Sequence, residues 1–129
     1  MLTFGRLAHL ATINPDGSLQ VSVVWVGVVG DEFAIGHMGG AKKVRNIARD
    51  PRVALTIETN DANPEGLSHY LIVHGIARLV DGGAPALLQE LAQIYIGPGA
   101  TFPPMDDPPE GHVILITPEQ FGGVGPWTA

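Results

Sequence analysis

Cysteine is absent from the 129 residues. That excludes disulfides, zinc–thiolate and iron–sulfur sites and thiol nucleophiles, and it makes the cytoplasm the expected location. No apolar run reaches the roughly 18 residues of a membrane span. Residues 1–13 lack the charged start and long apolar stretch of a signal peptide. Charge is sparse and mostly negative: charged residues are 16% of the chain, with 7 Lys and Arg against 13 Asp and Glu and a formal net charge of −6. Such a balance argues against bulk nucleic-acid binding. Phosphate-loop and dinucleotide glycine fingerprints are missing, as are HExxH and G-x-S-x-G. The five histidines have no metal-ligand spacing, so no metal site is expected. What is present is apolar material, 45% of the residues, enough for one folded domain over residues 1–129.

The little basic charge is concentrated. Lys42, Lys43, Arg45, Arg49 and Arg52 fall in one eleven-residue window with Asp50, so that window carries +4 on an acidic body. A compact anionic ligand fits such a focus, and so does a solvated helix face. The window begins where Gly39-Gly40 breaks the chain and a helix over 41–49 is expected, with Val44, Ile47 and Ala48 on its apolar face. Helix starts expose unpaired N–H groups, so Lys42 and Lys43 there form a plausible phosphate cradle. Asp50-Pro51 stops the helix.

Around that helix the pattern is mainly β. Strands are expected at 7–13, 19–29, 32–37, 52–59, 69–80 and 112–117, rich in β-branched residues and separated by turn signals such as Asn14-Pro15-Asp16-Gly17. Gly75 marks a bulge or bend. A second, amphipathic helix spans 84–96 with Leu87, Leu88, Leu91 and Ile94 as its stripe, and residues 97–111 form a Pro- and Gly-rich loop suited to covering a pocket. Six strands with two interspersed helices fit a closed or half-closed antiparallel barrel. Several strands are apolar on both faces: Val21, Val23 and Trp25 alternate with Val24, Val26 and Val28. The outer face therefore needs a cover, and a homodimer is expected. Trp25 suits either stacking on a planar ligand or plain packing. His37 stands out among the histidines because it directly precedes the basic junction.

The segments GRLAHLATINPDGSLQVSVVW (5–25), KKVRNIARDPRVALTIE (42–58) and YLIVHGIARLVD (70–81) resemble the pyridoxamine 5′-phosphate oxidase-like split β-barrel proteins, in particular the flavin/deazaflavin oxidoreductase branch. The resemblance covers residues 5–81 well and the last strand, 112–120, more weakly. It implies a six-stranded split barrel, a homodimer, and a flavin-type cofactor at the dimer interface, coenzyme F420 or alternatively FMN. By matched position, Val23, Val24 and Trp25 would line the tricyclic ring. His37 and Met38 would sit beside the ribityl chain, and Lys43 would meet the phosphate with Lys42 and Asn46 nearby. Relatives often carry arginines where this chain has Gly39 and Ala41, and a small residue where it has Lys42. The implied activity is hydride transfer to a small conjugated or heterocyclic molecule, with a non-catalytic carrier of a flavin or other planar ligand as the alternative. Tyr70, Tyr95 and His69 are candidate proton donors, and Trp127 is a candidate for reaching the partner's site.

Overall fold

Residues 6–37, 42–62, 64, 66–102 and 110–125 are described by the computed structural model, with main chain only at 60–62. The hairpin that opens the fold follows from its turn. Gly17 adopts φ 85°, the N–H of Asn14 bonds the Ser18 carbonyl at 2.8 Å, and the Asp16 carboxylate accepts the Ser18 N–H at 3.0 Å. This turn joins β1 (Ala8–Ile13) to β2 (Leu19–Val24), followed by β3 (Gly27–Val29), β4 (Glu32–His37), α1 (Lys42–Arg49), β5 (Arg52–Ala62), β6 (Ser68–Asp81), α2 (Ala84–Tyr95) and β7 (His112–Val124).

Seven strands, rather than the six expected, form one antiparallel sheet in the order β2-β1-β5-β6-β7-β4-β3. The difference lies in the expected 19–29 strand, which breaks at Trp25–Val26. There the Trp25 ring leaves the ladder and stacks on Tyr95, with centroids 5.4 Å apart and planes 10° apart. The Tyr95 hydroxyl accepts the Val26 N–H at 3.2 Å and donates to the Arg6 carbonyl at 2.8 Å. The first half of the segment pairs with β1 and the second with β4. The two edges of the sheet are thus consecutive in the chain, and the sheet curls into a split barrel closed by two residues.

The barrel interior holds Leu10, Ile35, Leu55, Ile57, Val73, Ile114 and Ile116, all essentially inaccessible. Helix α2 packs outside, where Leu87 and Leu91 meet Ala34, Trp25, Val113 and Leu115. Strand β4 is therefore buried on both faces, and Gly36 lets the helix come close: a Cβ there would lie 3.0 Å from Leu88 Cγ and 3.2 Å from the Ala84 carbonyl. Gly75 sits at a register shift between β6 and β7, where a Cβ would collide with the Thr117 carbonyl. Among the described residues, no helix is long and apolar enough to cross a membrane.

Helix α1 differs from its expected orientation. Val44 and Ile47 are buried as expected, but Ala48 is exposed and the other inward positions belong to Lys43 and Asn46. Two polar ties fix this rotation. Asn46 Nδ2 donates to Thr12 Oγ1 and to Asn14 Oδ1, each at 3.0 Å, and the Arg49 guanidinium bonds the Ile13 carbonyl. Past the helix, Arg52 grips Asp50 through Nη2 to Oδ2 at 2.7 Å, and this pairing holds the Asp50 carboxyl down at about 2.

Candidate functional site

Three elements end at one place: the C-terminal ends of β2 and β4 and the first turn of α1. Together with α2 and the loop after it, they enclose a cavity of about 370 Å³ lined by Leu7, Val23, Val24, Trp25, Gly36, His37, Lys43, Leu88 and Phe102. The lining is apolar except for His37 and Lys43. Five of the sequence-selected residues, Val23, Val24, Trp25, His37 and Lys43, meet here. Met38 lies outside the described residues, as do Gly39, Ala41 and Trp127.

Lys43 is the unusual member. It is only 9% exposed, and no carboxylate among the described residues pairs with it. Burial alone pushes its ammonium below the usual lysine range. Burying an uncompensated charge is costly unless a partner arrives. His37 is lowered from the ordinary histidine value by burial first, then by the Lys43 charge and by His112, which stands directly opposite on β7. These effects favour the uncharged imidazole of His37 beside the Lys43 cation.

The rest of the basic window disperses. Lys42 is exposed and faces a separate depression with Asn14, Pro15, Asp16 and Ser18. Arg45 is exposed, and Arg49 and Arg52 are engaged as described above. Asn46 is 1% exposed, and its amide is committed to Thr12 and Asn14 while its oxygen accepts from Arg49 at 3.3 Å. Asn46 thus anchors the helix that carries Lys43 and does not line the cavity. Tyr95 uses its hydroxyl at the β2–β3 break, and neither Tyr70 nor His69 lines the cavity. Among the described residues, no group of three His, Asp or Glu side chains is placed to hold a metal.

Leu7, Gly36, Leu88 and Phe102 are lining residues that the sequence reasoning missed. Phe102 had a signal, as an aromatic side chain within a stretch of Pro and Gly. Gln89 and Gln93, four apart on α2, had another, because both amides turn to the 97–102 segment.

Comparison with known proteins adds the following. The profile of the family described as pyridoxamine 5′-phosphate oxidase matches residues 5–125. A solved structure of an F420 reductase is 30% identical, with a TM-score of 0.75, over 94% of this chain and 92% of that one. A conserved hypothetical protein from Mycobacterium tuberculosis is 24% identical, with a TM-score of 0.70, over 92% of this chain and 76% of that one. The haem storage protein from Vibrio cholerae is 17% identical, with a TM-score of 0.63, over 92% and 85% respectively. The last two share the fold. No match was found among the curated proteins.

Proposed function

The chain belongs to the pyridoxamine 5′-phosphate oxidase family, and on that premise we propose that it is an oxidoreductase holding coenzyme F420, with FMN as the alternative, to reduce a small conjugated or heterocyclic substrate. The observation that carries this reading is Lys43, a largely buried lysine with no described carboxylate partner, which with His37 supplies the polar lining of a mainly apolar cavity. That arrangement fits a flat apolar ring system with an anionic tail. Lys43 receives the phosphate through a charge-assisted bond, which gains strength as the bound ligand displaces water from the partly desolvated ammonium. The Val23–Trp25 edge and Leu88 flank the ring, and neutral His37 hydrogen-bonds the connecting chain without adding charge. The bound cofactor supplies two-electron hydride chemistry, while the protein binds, orients and excludes water. The likeness to an F420 reductase at 30% identity favours F420.

A second copy of the chain is the proposed partner. Leu19, Val21 and Val23 on β2 are 67%, 61% and 57% exposed. Strand register continues their outward face through Ala11 and His9 on β1 to Ala54 and Thr56 on β5. Val23 belongs both to this face and to the cavity lining, so a subunit docked there would complete the cofactor site.

Titrating the purified protein with F420 and with FMN, followed by fluorescence, tests the binding. Saturation by either supports it, and saturation by neither overturns it. Oxidation of the reduced cofactor with a panel of enones and quinones separates enzyme from carrier. A carrier binds the cofactor through the same residues and gives no turnover with any acceptor.

A further inference from the structure

The loop after α2 is tied down at its start by a pair of side-chain amides. Gln89 Nε2 donates to the Ala100 carbonyl at 2.7 Å, and its Oε1 accepts the Phe102 N–H at 2.6 Å. Gln93 Nε2 donates to the same carbonyl at 2.6 Å, and its Oε1 accepts the Gly99 N–H at 2.7 Å. Four hydrogen bonds from one helix face thus add to the segment's own main-chain bond from the Ala100 N–H to the Gly97 carbonyl at 3.1 Å. Their product is the placement of one ring: Phe102 lies against Trp25, centroids 5.1 Å apart and tilted by 58°, and lines the cavity.

We infer that Phe102 is the specificity-determining wall of the cavity, held in place by the Gln89–Gln93 clasp, and that it admits a flat ring system of flavin size while excluding a wider macrocycle. This inference rests on the ligand-binding reading of the cavity given above. The chemistry is steric and dispersive. An aromatic wall rewards a ring that lies along it; the four bonds fix the main chain that carries Phe102, and the Trp25 ring packed against it holds the side chain to that position. Gln89 and Gln93 act through Phe102 and are positioning residues. The four bonds also exploit a spacing of one helical turn, which sets both amides on one face.

The test uses the full chain as wild type, Phe102→Ala, Phe102→Leu and the double variant Gln89→Ala/Gln93→Ala. Each is titrated with FMN, F420 and haemin, and its fold is followed by circular dichroism. Phe102→Ala is expected to weaken FMN and F420 by about 5- to 10-fold through loss of the aromatic contact and to tighten haemin binding. Phe102→Leu falls between, and serves if the alanine variant does not fold. The glutamine double variant follows Phe102→Ala, with faster hydrogen exchange over 97–102, which a residue of purely local structural importance would not couple to ligand choice. An unchanged preference between FMN and haemin in both Phe102 variants overturns the inference, as does a wild-type preference in the glutamine variant. Wild type that binds neither FMN nor F420 overturns the flavin reading alone. The wall is then judged by haemin, whose affinity must still rise in the Phe102 variants.

Discussion

Lys43 is largely buried with no carboxylate partner among the described residues, and its partial desolvation works against the charged form. Replacing Lys43 by Met, similar in length and uncharged, should therefore leave the unliganded protein as stable or slightly more so, measured as the urea midpoint without ligand; a loss of stability would mean that the ammonium has a structural partner. His37 makes a prediction in pH. Its folded-state pKa lies below the ordinary 6.5, so between those two values the unfolded chain binds more protons than the native one. Stability must then fall as pH drops from above 6.5 toward the folded value and level off below it. Comparing wild type with His37→Gln at pH 7.5 and 5.5 isolates this contribution: the variant should lose less stability on acidification. Asn46 shows what sequence alone could not decide. Its place near the phosphate was inferred from matched position, yet its Nδ2 donates to Thr12 and Asn14. Asn46→Ala should cost about 2 kcal/mol by orphaning buried partners. Residue type and spacing pointed to a cationic helix start, but they did not say which of five basic side chains turns inward.

At the scale of elements, the strands were legible because their β-branched composition and turn residues agree with each other. The Asn14–Gly17 turn and the Gly75 bulge were both readable from single residues. The break at Trp25–Val26 was not, because Gly27 alone marks a bulge or bend at most and the rest of LQVSVVWVGVV favours a strand. The interruption comes from Tyr95, 69 residues away, whose hydroxyl takes the Val26 N–H. The rotation of α1 was hidden for a similar reason: an apolar-stripe reading favours Ala48 over Lys43 and Asn46, and only the contacts with β1 reverse that order. Two glycines give element-level predictions. Gly36→Ala pushes on Leu88 and the Ala84 carbonyl and should cost about 1 kcal/mol through overpacking. Gly75→Ala meets backbone that cannot rotate away and should cost more. Thermal melts of the two variants, ranked against each other, check the order.

For the whole molecule, the exposed Leu19, Val21 and Val23 of β2 are the basis of the proposed dimer. Sedimentation velocity should show a dimer in wild type, and Val21→Asp, which buries a charge at the proposed interface, should shift it to monomer and weaken cofactor binding together. A monomeric wild type would remove the partner from the site. Overall architecture was the most legible level, since alternation, turn chemistry and family resemblance converge on the split barrel. The cavity was half legible, since Val23, Val24, Trp25, His37 and Lys43 lie in matched segments while Leu88 and Phe102 come from α2 and the segment after it. The measurement that bears most directly on the whole account compares FMN with riboflavin, the same ring system without phosphate, in wild type and Lys43→Met. The account predicts that wild type prefers FMN by about tenfold or more and that Lys43→Met abolishes the preference while still binding riboflavin. Equal affinity of wild type for both ligands would contradict it.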